Sequence, residues 1–426
     1  MTSGEWLQSA SALASKQSGA TCPARAADVR RDLAETFLCL LLAPQEVQNI
    51  YVDTPEAELD RLALTMCDRL LEGDATWSVS ADSLADAVRD VGVRVRALDK
   101  MLDDVSETHG RSSQPDTDYL CTEADVFVIP RTRPRRVDGV GARLHFRRRG
   151  TIYHSLIRRQ MGSYTVELTV LDVLEPNPSA DPQTLAAAMF ENFELDSGPA
   201  TGTSFRAKGI ECANINEIIR GQIARALKEG CSAVVWPELT MPLAQQEALT
   251  DALHSEDEGA CALQWVMAGS WHVGNEQFEN VALIFDRYGA HVLKHRKSLP
   301  YRDAEHGREG LKGSFVIPVM ITDEHLIAFA ICKDFCEAAD YTPYPDLDVD
   351  LIVVSSMGEE STIVAHQTVA YQAAVRGKRT FVVQQQGKTD VAPTGWVLPP
   401  VARPERLKIN DLREGPWSTH TWDAKD

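Results

Sequence analysis

The sequence lacks the long apolar runs from which membrane-spanning helices are built. The longest run, FLCLLLA at positions 37–43, is far shorter than the ~20 residues that a bilayer requires, and it predicts one buried helix face instead. The first residues, MTSGEWLQSA, also lack the basic and then apolar pattern of a secretory signal. We therefore expect a cytoplasmic protein.

Several sequence patterns that would identify a chemistry are also missing. The nine cysteines are scattered and include no CxxC pair, which argues against a disulfide framework. There is no GxSxG segment of a serine hydrolase, and the glycine-rich stretch 307–313 lacks the spacing of a phosphate-binding loop. His291 and His295 are four residues apart but lie in the return of a predicted hairpin, so we do not expect a zinc site there.

Positive charge is scarce: 43 basic against 62 acidic residues give a formal net charge of −19. This argues against an affinity of the whole protein for nucleic acid or for anionic membranes. One segment departs from the rule, because ten arginines lie between Arg131 and Arg159. Arginine suits phosphate and carboxylate equally well. Two interpretations stay open: a solvated hairpin that offsets acidic charge of this chain or of a second subunit, and a contact with nucleic acid.

What the sequence does contain is enough apolar material for a sizeable core in two or three domains, with 426 residues of which 44% are hydrophobic. Apolar residues recur at helical spacing at about 28–42, 54–71 and 81–105. We predict a helical domain at 1–115, for contacts or regulation, and an arginine-rich connecting segment at 116–162.

From position 163 to 426 the pattern changes to alternating strands and helices, which indicates an α/β layer fold with helices covering a sheet. The predicted helices lie at 214–229, where Gly230 supplies the stop signal, at 243–253 and at 364–376. The predicted strands lie at 166–173, 233–236, 263–269, 281–286, 327–332 and 351–355.

Three segments of this region contain residues that can carry chemistry. Glu238 follows a short buried strand in AVVWPEL, where a carboxylate is placed to transfer protons. Lys297 follows a hairpin in HRKSLP, where its charge could stabilise an oxyanion. Cys332 ends an apolar strand in IAFAICKDF and becomes a nucleophile if a base and a cation lie beside it. Each signal alone is weak.

Together and in this order, the three segments resemble the nitrilase superfamily of carbon–nitrogen hydrolases. WPEL, HRKSLP and ICKD stand where that family has its Glu–Lys–Cys triad, with 59 residues from Glu238 to Lys297 and 35 more to Cys332. The resemblance covers roughly 163–390. It implies a four-layer α-β-β-α sandwich, a homo-oligomer that pairs through helix faces, and hydrolysis of a C–N bond without a metal or organic cofactor.

The resemblance also implies a role for each residue. Glu238 would be the general base, Cys332 the nucleophile, and Lys297 the group that stabilises the tetrahedral intermediate. Many family members carry a second glutamate after the lysine; Glu305 is our choice and Glu309 the competitor. Lys333, where the family has a tyrosine or a similar residue, could lower the pKa of the nucleophile and assist at the oxyanion, or could point away.

The expected substrate is a small amide, carbamoyl compound or nitrile. The proline-containing tail after 387 departs from the family and leaves the substrate pocket unpredicted. Acyl transfer to a partner would use the same triad. The alternative from another class is a regulatory or nucleic-acid-binding protein that keeps the hydrolase fold and acts through residues 1–160.

Overall fold

The computed structural model describes residues 1–18, 25–106, 114–132, 134, 151–171, 182–199, 204–255, 262–275, 278–303, 307–337, 342–387 and 393–422. The chain forms two compact units, Met1–Arg159 and Gln160–Asp426. Within the described ranges, every helix is too short or too polar to cross a membrane.

The first unit combines helices with a small antiparallel sheet in the order β1-β2-β3. The helices predicted near 28–42, 54–71 and 81–105 are present as α2, α4 and α5. The helices are α1 Ser3–Ser18, α2 Ala26–Leu41, α3 Gln45–Asp53, α4 Glu56–Leu71, α5 Leu84–Val105 and α6 Pro115–Asp118, and the strands are β1 Leu120–Cys121, β2 Val126–Pro130 and β3 His154–Arg158.

Helix α5 forms the centre of this unit. It begins at Ser83, whose hydroxyl accepts a hydrogen bond from the backbone N–H of Asp86 and so satisfies one of the free donors of the first turn. Its buried residues face two hydrophobic clusters, one shared with α2 and the sheet and one shared with α1 and α3. Burial of this long apolar stripe stabilises a helix that its sequence alone would leave marginal.

Part of the arginine-rich segment, positions 133 and 135–150, lies outside the described residues. Its described end contributes β3, which pairs with β2 through the register Val126 to Arg158. The first unit therefore extends to Arg159 and includes most of the stretch that we predicted as a connecting segment.

The second unit is mixed α/β, with the predicted helices present as α7, α8 and α10. Its helices are α7 Ile215–Glu229, α8 Leu243–Ser255, α9 Lys333–Cys336 and α10 Glu360–Val375, with 3₁₀ turns at Tyr344–Asp346, Pro404–Arg406 and Ile409–Leu412. Its strands are β4 Gln160–Met161, β5 Tyr164–Val170, β6 Gln183–Ala188, β7 Glu194–Pro199, β8 Ser204–Glu211, β9 Ala233–Val235, β10 Trp265–Met267, β11 Trp271–Val273, β12 Glu279–Asp286, β13 His291–Arg296, β14 Arg302–Asp303, β15 Gly307–Glu309, β16 Val316–Ile321, β17 Leu326–Ile331, β18 Leu351–Met357, β19 Arg379–Gln385, β20 Gly395–Leu398, β21 Arg413–Glu414 and β22 Trp417–Trp422.

These strands form two large sheets and a small one, as far as the described residues show. The eight-stranded sheet has the order β21-β20-β19-β18-β17-β16-β5-β4, and the seven-stranded sheet has the order β11-β12-β10-β9-β6-β22 with β13 paired to β12. The small sheet has the order β14-β15-β8-β7. The strands that lead to Glu238 and Cys332, β9 and β17, therefore belong to different large sheets.

One hydrophobic cluster joins the two large sheets. It includes Val235 and Met267 from the seven-stranded sheet and Phe329 and Val353 from the eight-stranded sheet, all fully buried. A second cluster holds α7 and α8 against the other face of the seven-stranded sheet, and α10 packs against β19. The ends of β9 and β17 meet beside the shared core.

The strands predicted at 166–173, 233–236, 263–269, 281–286, 327–332 and 351–355 are present as β5, β9, β10, β12, β17 and β18. The sequence analysis did not predict β6, β7 and β8, nor the strands of the tail. In the tail, β22 returns to pair with β6 along its whole length, from Trp417–Ala188 to Trp422–Gln183.

Candidate active site

Glu238 lies three residues after β9, in a turn that several backbone contacts hold. The backbone N–H of Trp236 donates to the carbonyl of Met267 at 3.0 Å, and that of Leu239 donates to Ser270 Oγ at 3.2 Å. Leu239 adopts a φ of 56°, a conformation that is uncommon without glycine. The turn directs the Glu238 carboxylate inward, where it is 3% exposed.

Lys297 links two buried carboxylates. It follows β13, and its backbone N–H donates to the carbonyl of Asn280 at 2.9 Å. Its ammonium donates to Glu238 Oε1 and to Glu309 Oε2, both at 2.7 Å. Lys297 and Glu309 are each 1% exposed. Since buried charges require close opposite partners, this arrangement keeps a cation at a fixed position in a dry site.

Two further side chains complete the network. Asn280 donates its amide N–H groups to Glu238 Oε1 at 2.9 Å and to Glu309 Oε1 at 3.0 Å. His272 Nε2 lies 2.8 Å from Glu309 Oε1. The backbone N–H of Tyr301 donates to Glu309 Oε2 at 2.8 Å. Both carboxylates are therefore held at fixed distances from Lys297.

Cys332 stands at the turn between β17 and α9. Its backbone has a φ of 45° and a ψ of −108°, a strained conformation for a side chain with a Cβ. Its N–H donates to the carbonyl of Ser355 at 2.9 Å, and its thiol donates to the carbonyl of Met357 at 3.7 Å. The N–H of Met357 donates to Glu238 Oε2 at 3.2 Å, so the nucleophile candidate and the base candidate contact the same residue.

Asp334 connects the nucleophile turn to the loop after Lys297. Its buried carboxylate accepts hydrogen bonds from the backbone N–H groups of Ser298 and Leu299 at 2.8–3.1 Å. His295 Nε2 lies 3.3 Å from the same carboxylate. The two motifs HRKSLP and ICKD are thus joined directly, which fixes the cation relative to the cysteine.

The electrostatics of the network shift the pKa values of the two glutamates in opposite directions. Burial raises the pKa of Glu238 well above its ordinary value, and the negative charge of Glu309 acts in the same direction, against the opposite effect of Lys297. Burial also acts to raise the pKa of Glu309, but Lys297 and His272 outweigh it and lower that pKa to about 2. Two carboxylates with separated pKa values are typical of an acid–base site.

The thiol of Cys332 is protonated at neutral pH. A hydrogen bond with Cys336 and burial raise its pKa to about 12, against the opposite effects of His366 and Lys297. His366 is fully buried and lies 3.0 Å from Ser356 Oγ through its Nε2. A thiol in this state needs a base to become a nucleophile, and Glu238 is the buried base that Met357 connects to it.

The sequence analysis selected five residues, and the structure brings two of them, Glu238 and Lys297, into direct contact. Cys332 is linked to Glu238 indirectly, because both side chains form hydrogen bonds with the backbone of Met357. Glu305 lies outside the described residues, whereas its competitor Glu309 contacts Lys297. Lys333 is partly exposed and forms an ion pair with Glu337 at 2.5 Å.

Sequence reasoning missed His272 and Asn280. His272 lies on β11 and Asn280 on β12, and the two residues face Glu309 because these strands pair with each other. Neither residue belongs to a local pattern that signals chemistry. Within the described ranges, we find no group of His, Cys, Asp and Glu side chains arranged to hold a metal ion.

The comparisons with known proteins give matches at the level of solved structures. No family model and no curated protein matches the chain. An amidase from Nesterenkonia sp. AN1 is 15% identical in a mutant complex with acrylamide, with 57% of this chain and 92% of that chain covered and a TM-score of 0.41. A second structure of a mutant of this amidase is 16% identical, with 58% and 94% covered and a TM-score of 0.42. That amidase is described as a member of the nitrilase superfamily, which is the family that WPEL, HRKSLP and ICKD resemble.

Proposed function

We propose that this protein is a carbon–nitrogen hydrolase of the nitrilase type, which cleaves a small amide or nitrile through a thioester on Cys332. The observation that carries the proposal is the buried Lys297 ammonium, held at 2.7 Å from both Glu238 and Glu309 beside a strained cysteine. We assign the role of second glutamate to Glu309, because it contacts Lys297.

The proposal includes the architecture that the resemblance implies. The core shared by the two large sheets, with α7 and α8 on one outer face and α10 against β19, supports a four-layer α-β-β-α sandwich for residues 160–426. A separate role for the first unit, the pairing of two copies and a cytoplasmic location stay predictions.

The first half of the reaction forms the thioester. Glu238 Oε2 takes the proton from the Cys332 thiol as the sulfur attacks the carbonyl carbon, and the carbonyl electron pair moves to the oxygen. Lys297 donates a hydrogen bond to that oxyanion, which develops in a dry site where the charge interaction is strong. The intermediate then collapses as Glu238 returns its proton to the nitrogen, and ammonia or an amine leaves.

The second half releases the acid. A water molecule enters, Glu238 removes its proton, and the resulting hydroxide attacks the thioester carbon. Lys297 again stabilises the oxyanion, and the sulfur leaves as a thiol after Glu238 returns the proton. The raised pKa of Glu238 suits a group that must both accept and donate a proton near neutral pH. Acyl transfer would replace the water with another acceptor.

The apolar side chains beside the triad support a substrate with an apolar acyl group. Leu239, Trp271 and Ala207 form a small buried cluster next to the base, and Leu195, Ile210 and Met357 pack against it while partly exposed. Met357 is also the residue whose backbone contacts both Cys332 and Glu238. An apolar wall next to the nucleophile favours aliphatic or aromatic amides over charged ones.

The test is release of ammonia from a panel of aliphatic, aromatic and carboxylate-bearing amides and the corresponding nitriles. We expect turnover by the wild-type protein and its loss in Cys332→Ala and Glu238→Gln. Cys212→Ala is the matched control, because Cys212 is a partly exposed free cysteine of the same unit. Turnover that survives in Cys332→Ala would refute the mechanism.

A further inference from the structure

The orientation of His272 is determined by its two ring contacts. The backbone N–H of Ala207 donates to His272 Nδ1 at 2.8 Å, so this nitrogen is an acceptor without a proton. In the neutral ring the proton therefore sits on Nε2, which lies 2.8 Å from Glu309 Oε1. The ring is 2% exposed and packs 4.5 Å from the ring of Phe278.

Burial and the accepted hydrogen bond on Nδ1 keep this ring neutral. Burial lowers the pKa of His272, and the charges of Lys297 and Arg206 act in the same direction, whereas Glu309 acts against them. His272 is thus a neutral donor toward Glu309 and not a second cation. The network then holds one cation, Lys297, between two carboxylates.

The hydrogen bonds to the two carboxylates differ in number. A carboxylate offers about four acceptor positions. Glu309 receives four donors, two on each oxygen: His272 and Asn280 on Oε1, and Lys297 and Tyr301 on Oε2. Glu238 receives three donors from the described residues, and its Oε2 accepts a single one, from Met357. Oε2 of Glu238 is thus the oxygen with the fewest donors from the described residues, and its partner Met357 also accepts the hydrogen bond of the Cys332 thiol.

We propose that His272 is a positioning residue of the triad, which acts through Glu309 and directs the proton of Cys332 to Glu238. By filling the fourth acceptor position of Glu309, His272 keeps that group a carboxylate and keeps it on Lys297. Lys297 is then shared between two anions, and Glu238 retains enough basicity to take the proton. This inference rests on the proposed function and adds a residue that the sequence motifs do not contain.

Loss of the hydrogen bond that His272 donates should lower the basicity of Glu238. Without it, the Glu309 carboxylate is free to rotate away from Lys297, and Lys297 then turns toward Glu238, which lowers the basicity of Glu238. The negative charge of Glu309 raises the pKa of Glu238, and it is not among the main influences on the pKa of Cys332. The proton transfer from Cys332 to Glu238 therefore becomes less favourable.

The experiment measures alkylation of Cys332 by iodoacetamide, a small amide that reacts with thiolates, mapped by peptide mass spectrometry at pH 7. Its maximal rate and half-saturating concentration are compared in wild type, His272→Phe, His272→Gln, Glu309→Gln and the double variant His272→Phe/Glu309→Gln. His420→Gln, on the distant strand β22, controls for the loss of a histidine of low pKa.

We expect His272→Phe to lower the maximal rate about tenfold with a half-saturating concentration within about twofold of wild type. His272→Gln, whose amide N–H can replace Nε2–H, should recover most of the rate. In the Glu309→Gln background, His272→Phe should have less than about a twofold effect, because residues that act through one another are not additive.

Additive effects of the two substitutions, or a wild-type rate in both His272 variants, would overturn the role of His272 and leave the proposed hydrolase intact. Wild-type labelling of Cys332 no faster than that of Cys212 would instead refute the proposed function and this inference with it. The two failures are therefore distinguishable in one series of measurements.

Discussion

Each unit of this protein contains a buried histidine beside a buried carboxylate, and the two pairs differ in what surrounds them. In the first unit, Asp99 accepts hydrogen bonds from the backbone N–H groups of Ile152, Tyr153 and His154 at 2.6–3.1 Å, and His154 Nδ1 lies 2.9 Å away. In the second unit, Glu309 is bound by three side chains and a single backbone N–H.

The difference supports a packing role for Asp99 and the proposed catalytic role for Glu309. Backbone donors tie Asp99 to the start of β3 and so connect α5 to the sheet of the first unit. Two of the side-chain donors of Glu309, Lys297 and Asn280, also contact Glu238. The same unit contains Leu239 and Cys332, whose φ angles are positive. Backbone strain clusters at functional sites, whereas the three backbone donors of Asp99 hold it within the packing of the first unit.

The first prediction tests the buried cation of the second unit with Lys297→Met, for which we expect the largest effect. Removal of the cation leaves Glu238 and Glu309 buried and unpaired, which destabilises the second unit by about 3–5 kcal/mol. Alkylation of Cys332 by iodoacetamide should also slow by about 10- to 100-fold, because Lys297 lowers the pKa of the Cys332 thiol and its loss leaves less thiolate. Labelling kinetics and thermal unfolding measure the two effects.

Lys294→Met is the matched control for this substitution, because Lys294 is exposed on β13, three residues before Lys297. Lys294→Met should change neither the stability of the second unit nor the labelling rate of Cys332. A Lys297→Met protein that unfolds like wild type and labels at the wild-type rate would show that the buried cation is not needed, and the assignment of Lys297 would fail.

The second prediction concerns the structural carboxylate. Asp99→Ala leaves three backbone N–H groups without their acceptor, so we expect the first unit to lose about 3–5 kcal/mol of stability. Labelling of Cys332 at 20 °C should stay at the wild-type rate. Hydrogen–deuterium exchange of the segment from 151 to 158 measures the first effect, and a large change in labelling would contradict the division between the two carboxylates.

The motifs predicted the ends of β9 and β17, because each of these strand ends depends on a local sequence pattern. A short apolar strand followed by Trp-Pro-Glu predicts β9 and the turn of Glu238, and the apolar run before Cys332 predicts β17. The helix at 214–229 ends at Gly230, as predicted, with a φ of 68° that suits glycine.

The strands and site contacts that the sequence did not predict depend on contacts between distant parts of the chain. The sequence of β6, QTLAAA, is rich in alanine, which favours helices by intrinsic propensity, but both of its faces are buried in the hydrophobic clusters of the seven-stranded sheet. Tertiary packing decides its structure. Likewise, the contacts of His272 and Asn280 with Glu309 depend on strand pairing in three dimensions, and a motif search along the sequence cannot find them.

The third prediction uses the opposite pKa shifts of the two glutamates. The pKa of Glu309 is lowered to about 2 from 4.5, so its ionised form stabilises the fold above pH 4.5 and this contribution is lost as the pH falls toward 2. The shift corresponds to roughly 3 kcal/mol. The pKa of Glu238 is raised, so its protonated form stabilises the fold. This stabilisation is lost as the pH rises through the raised pKa. The second unit should be most stable in mildly acidic solution.

Urea unfolding of the wild-type protein between pH 8 and pH 3 measures this profile. In Glu309→Gln the loss of stability below pH 4.5 should be smaller, and in Glu238→Gln the loss toward alkaline pH should be smaller. A flat profile in the wild type, or the same profile in all three proteins, would show that the two carboxylates do not have separate environments.

The smallest effect that we predict distinguishes the nucleophile from its own neighbour. Cys336 is one turn of α9 away from Cys332, and its hydrogen bond is the largest of the influences that raise the pKa of the Cys332 thiol. In Cys336→Ala this pKa should fall, so alkylation of Cys332 by iodoacetamide at pH 7 should become about threefold to tenfold faster. Cys212→Ala should leave the rate unchanged. A slower rate in Cys336→Ala would mean that Cys336 assists the nucleophile, and would place a third group beside Glu238 and Lys297 in the activation of Cys332.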